Sequence, residues 1–250
     1  MALRAALFIL GLQLVSNDIN SQLKVTPLKL ERYNEVYYSF PLVQSAKPRV
    51  GQKINAYLQK ELLYNDTILT DKDSVFQKSR YINGDSTWQS GYSAMSYEIE
   101  VNNTKVLSIS FELESTGAYT DNYQMYYNFK VETGALVTAK DLFTPAGIVE
   151  IKRALKKERQ KRIREWIKEM DTTYNMEDSR EYVNERFADC NKDASVDNFL
   201  IKKNSIVFAK ASCFPHAGMS YETDLDIQLA FTKIQQLLSA NGKKLLLQKN

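Results

Sequence analysis

Between Leu107 and Val131 hydrophobic and polar residues alternate with a period of two, twice over. Leu107, Ile109, Phe111 and Leu113 alternate with Ser108, Ser110, Glu112 and Glu114; Tyr123, Met125, Tyr127, Phe129 and Val131 alternate with Gln124, Tyr126, Asn128 and Lys130. This pattern predicts two facing strands around a Gly-Ala-Tyr loop, each with one buried and one wet face. A Thr-Gly turn and an Asp-Leu-Phe helix entry follow. Upstream, Leu23 to Val43 reads as extended, with Val36, Tyr38 and Phe40 on one face and Pro41 as a break. Pro48 opens a helix whose Val50, Ile54, Leu58 and Leu62 recur at helical spacing, so it is expected to lie on the sheet. Tyr97, Ile99 and Val101 mark another strand, which Asn102-Asn103 turns into Leu107. Strands joined by such short turns are antiparallel.

The texture changes at Pro145. Ile148, Ile151, Leu155, Ile163, Trp166, Ile167 and Met170 map one long amphipathic helix, and Tyr182, Val183 and Phe187 a second, shorter one. Strands return after Asp197: Phe199 and Ile201, a turn at Lys203-Asn204-Ser205, then Ile206 to Cys213, then Leu225, Ile227, Leu229 and Phe231. A closing helix holds Ile234, Leu237 and Leu238, and Asn241-Gly242 is expected to stop it. The fold class is therefore α+β: an antiparallel sheet with helices packed on one face, including the long amphipathic helix.

At 250 residues the chain can bury a substantial core, as one large domain or two closely packed small ones. Its 15 Tyr and 11 Phe cluster in the alternating segments and reinforce the sheet reading. A net charge of +3 is too small to imply a polyanionic partner. Residues 1–21 read as a signal peptide, with Arg4 ahead of an apolar run from Ala5 to Val15 that falls short of the roughly 20 residues needed to span a bilayer. Ile19-Asn20-Ser21 is the best cleavage site before Gln22; the competing reading is a buried N-terminal helix. No other apolar stretch could cross a membrane. Export, to a periplasmic or extracellular location, suits the two cysteines: Cys190 and Cys213 are expected to form a disulfide, with two buried free thiols as the alternative. Their spacing does not suggest zinc.

Among groups that could carry chemistry, the basic run Lys152, Arg153, Lys156, Lys157, Arg159, Lys161, Arg162 and Arg164 is threaded with Glu150, Glu158, Glu165 and Glu169 and lacks interleaved aromatics. It reads as a solvated helix face rather than a nucleic-acid reader. His216 is the only histidine, which removes zinc sites built on two or more histidines, and a loop-ordering hydrogen bond is its expected role. Glu112 with Glu114, and Asp224 with Asp226, each share a strand's polar face, the residue types of a glycosidase pair but also of any solvated sheet. The loop Ser115 to Tyr123 differs in kind. Tyr119, Asn122 and Tyr123 offer rigid aromatic and adaptable polar groups, and they are the candidate binding residues, with aromatic strand packing as the alternative. No catalytic motif, metal set or cofactor-binding motif is evident.

Three stretches resemble a known family. Phe40-Pro41-Leu42 with Ile54-Asn55-Ala56-Tyr57-Leu58, the segment Leu107 to Phe143, and Asp197 to Leu238 with its Cys213-Phe214-Pro215-His216-Ala217 turn are similar to the secreted RsiV-like domain family, named for the C-terminal domain of the anti-sigma factor RsiV and often preceded by a PdaC-like region. The resemblance implies a PdaC-like N-terminal region over residues 23–105 and an RsiV-like domain over 106–240, packed as one unit. Thr116-Gly117-Ala118-Tyr119 stands where the family has Gly-Gly-Ala-His, so a role needing that histidine does not carry over. RsiV recognises lysozyme, so the resemblance implies an exported, non-enzymatic binding domain for a protein, such as a lysozyme, or for a peptidoglycan-type glycan. The alternative is an enzyme or enzyme accessory acting on cell-wall polysaccharide, which the PdaC-like part would suggest.

Overall fold

The structure, a computed structural model, describes residues 22–32, 35–77, 92–116, 120–174, 179–192 and 194–247. The expected signal peptide, residues 1–21, lies outside them. The chain begins with β1 (Lys24–Arg32), β2 (Glu35–Gln44), α1 (Pro48–Leu63), α2 (Lys72–Gln77), β3 (Ala94–Asn102), β4 (Val106–Thr116) and β5 (Thr120–Lys130). These five strands form one sheet in sequential order, so strand pairing runs straight across residues 105 and 106. Three of the four pairings are antiparallel, as the short turns require, but β2 meets β3 in parallel at Tyr38 and Met95. A parallel pair needs a long crossover. Helices α1 and α2 supply it, and Ile54, Leu58, Leu62 and Phe76 pack with Phe40, Leu107, Ile109, Phe111 and Phe129 in the first core.

Two buried amides fix the crossover. The Asn55 side chain on α1 both donates to Val43 O and accepts from Val43 N–H, at 2.9 Å each. One turn later Gln59 does the same for Leu69, at 2.6 and 2.9 Å. Each side-chain amide offers one donor face and one acceptor face, which matches a peptide unit. Pro41, expected to break the strand, instead lies within β2 opposite Pro27 of β1. A proline pair exchanges no N–H, and β2 meets β3 only around Tyr38, so the missing donor breaks no ladder bond.

The second half contains α3 (Ala139–Leu142), α4 (Pro145–Tyr174), α5 (Arg180–Cys190), β6 (Phe199–Ile201), β7 (Ser205–Phe208), β8 (Ile227–Ala230), α6 (Phe231–Ile234) and α7 (Ala240–Leu246). A capping box between Thr138 and Asp141 starts α3, and Lys130 ties Asp141 back to β5 at 2.5 Å. Strands β6, β7 and β8 form a separate antiparallel sheet. Ile151 and Leu155 of α4 cover Phe199, Ile206, Phe208 and Ile227 of that sheet in a second core. Asn241-Gly242 does not end a helix. Ser239 caps the N-terminus of α7 by accepting from Gly242 N–H at 2.9 Å, and Gly242 sits where a Cβ would meet Leu142 O at 2.0 Å. Glycine is required there for backbone approach rather than for termination. The architecture is thus α+β, with the long helix covering the second sheet rather than the first.

Cys190 at the end of α5 and Cys213 form the expected disulfide. They sit in a third cluster with Ile163 and Met170 of α4, Val183 and Phe187 of α5, and Phe214 and Leu225. Arg186 donates to Cys213 O through Nε and Nη2, at 3.1 and 2.7 Å, while Glu222 accepts from Cys213 N–H at 2.7 Å.

The two sheets meet at Asn128. It belongs to the polar face of β5, the face expected to be wet, yet it is 3% exposed. Its Oδ1 accepts from Ser108 Oγ at 2.7 Å and from Ile201 N–H at 3.0 Å, while its Nδ2 donates to Phe199 O at 2.7 Å. The outer edge of β6 is therefore closed by a side chain instead of another strand. Replacing Asn128 with Ala leaves a buried N–H, C=O and hydroxyl without these partners. We expect a loss of about 3 kcal/mol, read from the denaturant midpoint. The disulfide closes a loop between positions 23 apart, so C190S/C213S is expected to lower stability by about 3 kcal/mol in the same assay. Two freely alkylated thiols in the native oxidised protein would contradict the bridge.

Candidate binding site

Beside the Asn128 contact the polar face of the first sheet lies opposite the second sheet. Between them opens a cleft of about 310 Å³. One wall is the polar face of β3, β4 and β5: Glu98 and Glu100, Ser110 and Glu112, Gln124 and Tyr126. The other carries Leu200, Lys202 and Val207 of the second sheet region, with Asp226 at the entry to β8. Period-two alternation places these side chains, since Glu98 pairs with Ser110, and Glu112 with Gln124.

The cleft is acidic and hydrogen-bonded. Lys202 Nζ pairs with Glu100 Oε1 at 3.4 Å, Ser96 Oγ donates to Glu112 Oε2 at 3.4 Å, and Tyr126 Oη donates to Gln124 Oε1 at 2.7 Å. Asp226 accepts from Lys210 N–H at 2.8 Å and stands 3.5 Å from Tyr126 Oη. Burial, reinforced by Asp224, pushes the Asp226 carboxyl above its ordinary range, against the opposing pull of Arg159. Burial beside Asp226 pushes the Tyr126 hydroxyl up to about 12, so at neutral pH it stays protonated and can donate.

Two arginines of α4 hold the Asp226 wall. Arg159 is 1% exposed and donates to three backbone carbonyls, Leu225 O (3.0 Å), Phe208 O (3.3 Å) and Ala209 O (3.1 Å). Arg162, one turn on, reaches Asp224 O and Asp226 O at 3.2 and 2.9 Å. The solvated-face expectation holds for Lys156, Lys157 and Lys161, which are exposed, but not for these two. A guanidinium offers five donors in a fixed fork, which suits the several unpaired carbonyls where a strand begins.

The candidate binding residues are dispersed. Tyr119 lies outside the described residues. Asn122 and Tyr123 fall within β5, opposite Glu114 and Leu113, so they project to opposite faces of the sheet. Asn122 shares the cleft-side face with Gln124. Tyr123 is on the helix side and 46% exposed. The two carboxylate pairs are regrouped: Glu112 and Asp226 line one cleft, whereas Glu114 accepts from Ser93 Oγ at 2.7 Å and Asp224 stands 3.7 Å from Arg162. Glu98, Glu100, Gln124 and Lys202 were not singled out from sequence; the available signal was a polar strand face richer in carboxylate than its neighbours. His216 begins a 3-10 turn, His216–Tyr221. Among the described residues no three His, Cys, Asp or Glu side chains are grouped to hold a metal, and no helix is long and apolar enough to cross a membrane.

This two-sheet arrangement has a counterpart among solved structures. A DUF3298 family protein from Bacteroides fragilis superposes with a TM-score of 0.56 at 12% identity, covering 89% of this chain and 96% of that one. The chain has the fold of a DUF3298 protein. A second member, from Pseudomonas aeruginosa, gives 0.49 at 8% identity over 88% of this chain and 95% of that one. No protein-family model and no curated protein matches the sequence.

The anchoring role of Arg159 is measurable beside its lysine neighbours. R159Q is expected to lower stability by about 3 kcal/mol, because buried carbonyls lose a charged donor. K156Q, K157Q and K161Q are each expected to stay within about 0.5 kcal/mol of the parent. Equal effects across the four would contradict the anchoring role.

Proposed function

We propose that this protein is an exported, non-enzymatic binding domain of the RsiV-like type that recognises a protein or a cell-wall glycan. The observation supporting this most is the cleft itself: an open, preformed concavity whose walls are fixed by Asn128 and Arg159 and lined by carboxylates, an amide and a tyrosine hydroxyl. Such groups hydrogen-bond sugar hydroxyls or pair with basic side chains without reorganising. The disulfide agrees with an oxidising compartment. The contact surface runs along the cleft-side face of β5, from Asn122 to Gln124 and Tyr126.

A second reading has one observation behind it. The raised carboxyl of Asp226 shares the cleft with Glu112, which are the residue types of an acid and base acting on cell-wall polysaccharide.

One experiment separates the two. The protein is titrated calorimetrically with a lysozyme and with soluble peptidoglycan fragments, and the fragments are then analysed by mass spectrometry. Binding of either ligand, weakened about tenfold or more by E98Q/E112Q with unchanged thermal stability, supports the binding domain. Cleaved or deacetylated fragments, lost in D226N, would establish the enzyme instead.

A further inference from the structure

Strand β5 lies at the margin of the first sheet, with β4 on one side only. Its outer margin is used near the C-terminal end, where Lys130 N–H donates to Ala135 O at 2.8 Å and Val137 N–H donates to Asn128 O at 2.7 Å. Even-numbered residues of β5 therefore turn their backbone groups outward, and the β4–β5 register holds without a shift over the whole strand. It follows that the N–H and C=O groups of Asn122, Gln124 and Tyr126 also point outward. Among the described residues no strand pairs with them.

An unpaired strand margin of this length is a template for another strand. Here it borders the acidic cleft directly, because Gln124 and Tyr126 belong both to the margin and to the cleft wall. A strand added beside β5 would lie about 4.8 Å away and project alternate side chains on the same side as Gln124 and Tyr126. Long basic side chains there would reach toward Glu112, one strand beyond β5, and Asp226, beside Tyr126, with Glu98 on β3 adding to the negative field. Lys202 is already paired with Glu100, and neither Glu98 nor Glu112 has an ion-pair partner among the described residues. Asp226 feels the charge of Arg159, yet the hydrogen bonds of that guanidinium go to backbone carbonyls through Nε and Nη2 and none goes to the Asp226 carboxylate.

Charge decides the occupant. A second copy of β5 would bring a second Glu112-bearing sheet face alongside the first and double the like charge. A glycan could fill the cleft, yet it has no regular backbone of donors and acceptors to use the strand margin. We infer that the outer margin of β5, from Thr120 to Tyr126, receives an extended basic segment of a partner protein as an added strand, with its lysine or arginine side chains directed into the cleft. This rests on the binding reading above and narrows it to one partner chemistry.

The probe is a capped peptide, acetyl-Thr-Lys-Val-Lys-Val-Lys-Thr-amide, titrated into the full protein and followed by amide chemical shifts and calorimetry. Binding is expected, with shifts centred on Thr120 to Tyr126 and affinity that falls as salt is raised. N-methylating the peptide's alternate amides should weaken it at least about tenfold, since pairing donors are removed while charge is kept. Gln124→Pro, which removes the outward N–H together with the side-chain amide that accepts from Tyr126 Oη, should do the same with the thermal midpoint little changed, whereas Gln124→Ala, which removes that amide but keeps the N–H, should bind the peptide nearly as the parent does; E98Q/E112Q should weaken the unmodified peptide to a similar degree as Gln124→Pro. Equal binding of the N-methylated peptide would overturn strand addition while leaving the cleft as a binding site. Saturable binding of peptidoglycan fragments without peptide binding would likewise overturn the inference and keep the broader reading. Dimerisation abolished by Gln124→Pro would assign the margin to a second copy. Peptide binding indifferent to E98Q/E112Q would remove the cleft from both.

Discussion

A strand that abuts the face of another sheet, rather than its margin, leaves one row of its own N–H and C=O groups without a ladder. In this protein that strand is β6, and the amide of Asn128 meets Ile201 N–H and Phe199 O as a neighbouring peptide would. The rest of the architecture depends on this substitution. Buried backbone groups without partners are costly enough to exclude the docking altogether, so the amide sets where the second sheet sits on the first. Asn55 and Gln59 repeat the device on the opposite face, where they seat α1 against Val43 and Leu69. One solution thus recurs at three places where a peptide unit is buried without a ladder partner.

The cleft lies beside that docking point, between the two sheets. Two sheets packed face to face would bring apolar side chains together and exclude water. Here β6 meets the first sheet by its edge, the apolar face of the second sheet turns toward α4, and its other face is left opposite polar residues of β3, β4 and β5. Arg159 and Arg162 then fix the far wall by holding the backbone from Asp224 to Asp226. A cleft held by buried hydrogen bonds on both sides is preorganised, so ordering it adds little to the free energy of binding.

The strands of the first sheet were legible in the sequence because alternation reports which residues share a face. It does not report what covers that face. Ser108 and Asn128 carry the same polar signature as Glu112 and Gln124, yet the first two are buried and the latter two are exposed. The same limit applies to α4, where Arg159 looks like its lysine neighbours until the carbonyls around it are located. Pro41 and Gly242 were read by local rules that tertiary context overrode, through an unpaired strand flank and a close backbone approach. The cysteines were legible in another way: in a chain with only two, an oxidising compartment implies one pairing. The candidate site was only half visible. Glu112 and Asp226 come from distant segments, and no spacing rule joins residues brought together by a sheet docking on a sheet.

The acidic lining also has a thermodynamic signature. Asp226 has a folded-state pKa raised by burial, so the native state holds its proton more tightly than the unfolded chain does. Its contribution to stability is fully present below the unfolded carboxyl pKa, about 4, and is lost as pH rises through the raised folded value. The Lys210 N–H and Arg159 work against that shift by favouring the charged form. A cation entering the cleft would favour the charged carboxylate and draw the folded pKa back down, so binding of the kind proposed above would be linked to proton release from Asp226.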